Sequence, residues 1–140
     1  MSPTPADFVY AVDADAGVAL ARLTGVVTGG DMVAVQEAVH RDPAWRPHFD
    51  AIWDCRGAAS HVVGPSDVPR IVAEATEGQA GRDVLVEQGS LTESLISEFI
   101  ALRCRLEGKH ARVVRTLGEA LDALGLDAVP AGLRTAAEAE

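Results

Sequence analysis

Phe8, Tyr10 and Val12 alternate along the chain, and Val18, Leu20 and Leu23 take up the apolar positions again after a short polar break. Period-two alternation on both sides of a turn-rich break predicts a β-hairpin. The break, Asp-Ala-Asp-Ala-Gly from Asp13, contains the Asp and Gly that tight turns use. A calcium loop starting at Asp13 would need Gly at its sixth position and Glu at its twelfth, where this chain has Val18 and Thr24.

The spacing then lengthens. Met32, Val35, Ala38 and Val39 recur at three and four residues, after Thr28 and Asp31 in capping-box positions and before Pro43, so a helix of about three turns is predicted. Gly29 and Gly30 fit neither phosphate-cradling motif and shape the turn into that helix. "DAIWD" reads as a short buried strand ending at Asp54, followed by a loop and by a helix that starts at Ser66, read as its N-cap, with Pro69 in the first turn. That helix offers Val68, Ile71, Val72 and Ala75 as its apolar stripe. "RDVLVEQ" is the next strand, and Ser90 with Glu93 opens the longest helix, whose apolar stripe is Leu91, Leu95, Phe99, Leu102 and Leu106 and whose end is Gly108. "ARVVRT" and a last helix from Thr116 to Gly125 complete the order ββαβαβαβα. Strands separated by helices return through right-handed crossovers, which implies an α/β fold with an N-terminal β-hairpin joined to a mixed, mostly parallel sheet covered by helices. One domain over residues 1–140 is expected, with its core at about 7–125 and a polar, Ala-rich tail at 126–140.

Composition narrows the partners. A formal net charge of −9 opposes phosphate backbones, so nucleic acid is not expected. No apolar run approaches the roughly 20 residues needed to span a bilayer, and the N-terminal residues have no basic segment or apolar stretch of a leader, so a cytoplasmic protein is expected. Aromatic residues are only 4% of the chain, which leaves an aliphatic core. Cys55 and Cys104 stand far apart without a paired-cysteine motif and fit a reduced compartment.

With the element order, "TGGDMVAVQEAVHRDP" after the hairpin, "AIWDCRG" as central strand and "VRTLGEALDALG" as the closing strand and helix, residues 7–125 resemble the SpoIIAA-like fold of STAS (anti-sigma-factor antagonist) domains and of small stand-alone bacterial proteins grouped as STAS/SEC14-like. The resemblance implies a serine at the N-terminus of the helix after the central strand that a partner kinase phosphorylates. Ser66 is the matching position, although Pro65 stands where the family has Asp and Asp67-Val68 replaces a small residue and Gly. The other reading of Ser66 is the N-cap alone.

Candidate chemistry gathers between Asp50 and Val72. Cys55 is not in a phosphatase loop, because residue 61 is His where Arg would be required. A Cys55–His61 pair is geometrically open, but alternation turns Cys55 the same way as Trp53, and an apolar site raises a thiol's pKa and makes it inert. His40, His48, His61 and His110 show no metal-binding spacing, so neither a metal nor a cofactor is expected. Asp50 and Asp54 flank one strand without a neighbour that would separate their pKa values. Ligands of open α/β sheets gather beyond the carboxyl ends of the strands, and Asp54, Arg56, Ser60, His61, Ser66, Gly89, Ser90 and Thr116 fall there. Arg56 either meets an anion or a partner's acidic side chain at that rim, or pairs with Asp54.

These readings imply a non-enzymatic binding or regulatory module that engages a protein partner or a small amphipathic ligand, with a homodimer as one assembly. A carrier of lipid or another hydrophobic small molecule is the alternative, and a hydrolase using Cys55 or Ser66 is the second.

Overall fold

In the computed structural model, which describes residues 5–138, one five-stranded sheet runs in the order β1-β2-β3-β4-β5. β1 (Asp7–Asp13) and β2 (Val18–Thr28) form the antiparallel hairpin, and β3 (Asp50–Val62), β4 (Asp83–Val86) and β5 (Ala111–Val114) continue in parallel. The turn closes as its composition requires: Gly17 takes φ +69° and donates to the Asp13 carbonyl at 2.9 Å.

Alternation along the strands builds two apolar layers. Ala19, Ala21, Leu23, Ala51, Trp53 and Cys55 face α1 (Gly29–His40), α2 (Asp67–Thr76) and α3 (Leu91–Leu106). Val18, Leu20, Ile52, Val84 and Val86 face α4 (Leu117–Ala123) and the C-terminal segment. That segment forms a 3-10 turn at Ala131–Leu133 and α5 (Arg134–Glu138), and it buries Leu133 and Ala136 against the sheet. Residues 126–138 of the polar, Ala-rich segment therefore help to close the second layer, and positions 139–140 lie outside the described residues. Gly132 N–H donates to Asp13 Oδ2 and Arg22 Nη1 to the Ala137 carbonyl, which ties this segment to the hairpin.

Helix starts follow the sequence at three places. Thr28 makes a full capping box with Asp31, and the Ser90 and Thr116 hydroxyls accept from the Glu93 and Glu119 N–H groups at 3.4 and 3.0 Å. Ser66 departs from expectation. Its backbone is already helical, its side chain makes no cap, and Asp67 instead accepts from Gly64 N–H at 2.8 Å. Gly29 makes room for that carboxylate, since a Cβ there would lie 2.3 Å from Asp67 Cγ.

Two further expectations change. The central strand does not end at Asp54 but continues to Val62, so Arg56, Ser60 and His61 belong to β3 and not to a loop. Register shifts against β2, between the Arg22 and Thr24 pairs and between the Gly25 and Val26 pairs, insert extra residues into β3 and bend it. The second change concerns α3, where a different and on the whole slimmer set goes inward: Ser97, Ile100, Ala101 and Cys104 are buried, whereas Leu91, Leu95, Phe99, Leu102 and Leu106 face solvent. Both sets recur at three- and four-residue spacing, so α3 has two stripes, and the tightly covered sheet admits the slimmer one.

Candidate functional site

The bend in β3 has a chemical consequence. Cys55 and His61 are six residues apart, about 20 Å in a straight strand, yet the Cys55 thiol, a His61 ring nitrogen and a Glu87 carboxylate oxygen all lie within 4.8 Å of one another. Glu87 follows the last residue of β4. Its parity with Asp83 and Leu85 turns it toward α3, where Ser97 Oγ donates to Oε2 at 3.1 Å and Gly89 N–H to Oε1 at 2.8 Å. The His61 and Glu87 side chains are 1% and 2% exposed.

His61 Nε2 stands 3.2 Å from Glu87 Oε2, but the ring is misaligned for a hydrogen bond, and neither ring nitrogen has a hydrogen-bond partner. The contact is electrostatic. Burial, with Glu87 and Asp54 adding to it, pushes the Cys55 thiol far up and holds it protonated. Cys104, also buried and close to Asp83, is pushed up to about 11.

The predicted rim residues divide between separate contacts. Asp54 is buried and receives Arg56 in a two-pronged pair, Nε to Oδ1 at 2.9 Å and Nη2 to Oδ2 at 2.8 Å, with Arg22 Nε 3.6 Å from Oδ2. Arg56 thus takes the pairing with Asp54 that the sequence reading offered. Ser90 and Thr116 are occupied as helix caps, and Ser66 is exposed at the start of α2. Of the predicted set His61 joins the buried cluster, together with Cys55, and Gly89 contributes its N–H to Glu87. Ser60 lies beside it on β3, half-buried. Glu87 and Ser97 were missed because they come from β4 and α3. The available signal was the strand parity that puts Glu87 on the face of Leu85.

Beside the cluster, a cavity of about 50 Å³ lies between the sheet and the three helices, lined by Cys55, Ser97, Trp53, Ile100 and other apolar side chains. On the outside of the same helix layer, the apolar stripe of α3 is unpaired among the described residues, with Leu91 77% and Leu106 71% exposed. No helix of the described residues is long and apolar enough to cross a membrane.

No family model matches this sequence, and no curated protein matches it. Among solved structures the chain is similar to an uncharacterised protein of the DUF3478 family with a SpoIIAA-like fold from Shewanella loihica PV-4. The TM-score is 0.59 at 14% identity, over 89% of this chain and 98% of that one. The likeness extends to the fold: a mixed five-stranded sheet and helices in the SpoIIAA-like arrangement.

Proposed function

We propose that this SpoIIAA-like domain is a non-enzymatic binding module that docks through the outer face of α3, and that a second copy of the chain is the occupant. The observation that carries the reading is the exposed stripe of Leu91, Leu95, Phe99, Leu102 and Leu106. All five side chains are large, apolar and between 44% and 77% exposed along one helix face, and contiguous exposed apolar patches mark interaction sites.

Spacing and charge favour self-pairing. Leu95, Phe99, Leu102 and Leu106 follow one another at four, three and four residues, the d-a-d-a rhythm of a coiled-coil seam. Two antiparallel copies of α3 layer Leu95 on Leu106 of the second copy and Phe99 on its Leu102. The same register sets Glu98 opposite Arg105 of the second copy, twice by symmetry, and opposes the helix dipoles. The rim is acidic in its first half, Glu93 and Glu98, and basic in its second, Arg103 and Arg105, so it is neutral overall and lacks the basic belt that anionic lipid would need.

The alternatives fit less well. A cavity of about 50 Å³ is far below the roughly 300 to 1,000 Å³ of small-molecule sites, which weighs against a lipid carrier. A buried, protonated Cys55 thiol weighs against a cysteine hydrolase. Light scattering after size exclusion tests the proposal. At tens of micromolar the protein should elute with twice the mass of one chain, and Leu95→Glu with Leu102→Glu should elute as a single chain with unchanged circular dichroism. A single-chain mass for the unaltered protein, or a dimer that survives both substitutions, would refute it.

A further inference from the structure

We infer that Cys55, His61 and Glu87 form a binding site for one divalent cation of the zinc type. The three side chains offer one sulfur, one nitrogen and one oxygen donor within 4.8 Å of one another, close enough that small side-chain movements bring them onto a common centre. Binding displaces the Cys55 thiol proton to solvent, after which thiolate and carboxylate together balance a doubly charged ion and neutral imidazole adds no charge. The sulfur donor selects against calcium and magnesium, whose sites are built from oxygen, and the mixture of sulfur, imidazole and carboxylate suits zinc.

The imidazole gives independent support. With its side chain 1% exposed and both nitrogens without a hydrogen-bond partner, His61 leaves polar atoms unsatisfied in the interior, an arrangement that native structures avoid. A cation bound by the lone pair of one ring nitrogen would satisfy that nitrogen. Glu87 is already oriented for the purpose. Ser97 and Gly89 each donate to one carboxylate oxygen, leaving further lone pairs on both, in the manner of outer-shell groups that fix a metal ligand.

Three protein donors leave one tetrahedral position. The cavity lined by Cys55 and Ser97, beside the cluster, is large enough to hold a water molecule. The site differs from the expectation of no metal because the spacing along the chain hides it: the donors come from two strands, and the bend of β3 returns His61 to Cys55.

Cobalt(II) reports on such a site, because a thiolate ligand produces a sulfur-to-cobalt charge-transfer band and tetrahedral geometry produces intense visible bands. Untagged protein stripped with chelator should bind one equivalent of cobalt with both features, and one equivalent of zinc should displace it. Cys55→Ser should abolish the charge-transfer band, whereas Cys104→Ser should keep it. Glu87→Gln should retain the fold and weaken binding at least tenfold, and Ser97→Ala should weaken it by about 10- to 100-fold through loss of the outer-shell donor. Each variant's fold is checked by its circular dichroism, and Glu87→Gln carries the test if Cys55→Ser does not fold. Absence of cobalt binding at 100-fold excess, a charge-transfer band that persists in Cys55→Ser, or affinity unchanged in a folded Glu87→Gln would overturn the assignment.

Discussion

The Trp53 indole N–H donates to Asp83 Oδ1 at 3.1 Å, joining β3 to β4 beneath the helix layer. Lys109 closes on the other carboxylate oxygen, Oδ2, at 2.9 Å, so a buried acid holds two donors from different elements. Trp53→Ala removes the largest side chain of the central strand and one of those donors. A loss of about 3 to 5 kcal/mol is expected from urea unfolding. Trp53→Phe keeps most of the packing and isolates the hydrogen bond, for which about 1 to 3 kcal/mol is expected. A loss below about 1 kcal/mol in Trp53→Ala would mean that the indole does not anchor the core.

Asp83 also makes stability depend on pH. Burial raises its pKa above the ordinary carboxylate value, and the opposing pull of Lys109 does not cancel that. A carboxyl with a raised folded-state pKa binds protons more tightly in the folded chain. Its contribution to stability therefore grows as pH falls through the folded-state pKa and is lost as pH rises. Lys109→Met leaves the buried carboxylate without its cation. A loss of about 3 to 5 kcal/mol is expected at neutral pH, with part regained as the solution is acidified toward the normal carboxylate range. Urea midpoints at neutral and mildly acidic pH measure this, and a deficit independent of pH would contradict it.

At the start of α2 the expected effects fall on the neighbour of the predicted residue. Because the Ser66 hydroxyl caps nothing, Ser66→Ala should lie within about 0.5 kcal/mol of the unaltered protein. Asp67→Ala removes the bond from Gly64 N–H and should lose about 1 kcal/mol. Thermal melts of the two variants compare them directly, and the reverse order would restore Ser66 as the cap.

The legible parts of the fold were those decided by local pattern. The hairpin, the Thr28 capping box and the order of strands and helices follow from alternation, turn chemistry and cap residues within a few positions. Quantities set by distant packing were not legible. α3 carries two stripes of similar period, and only the close approach of the sheet makes Ala101 and Cys104 the inner one and Phe99 the outer one. The site behaved likewise. His61 was visible as a candidate, but its meeting with Glu87 depends on the bend in β3, which no local pattern announced. Leu133 was hidden for the same reason: a leucine in a polar, Ala-rich segment gives no sign of its burial until the second sheet face is seen to need a cover.

Antiparallel pairing of α3 with α3 of a second copy is decided by a charge swap read by sedimentation equilibrium. Glu98→Arg or Arg105→Glu alone sets like charges together at two symmetric contacts and should weaken the dimer by about tenfold. Arg105 also donates to the Ala111 carbonyl, so the melting temperature of its variant is checked alongside. Glu98→Arg combined with Arg105→Glu should return the dissociation constant to within a few-fold of the unaltered protein. A double variant weaker than either single one would contradict it, as would rescue by Arg103→Glu instead, the result that parallel pairing requires.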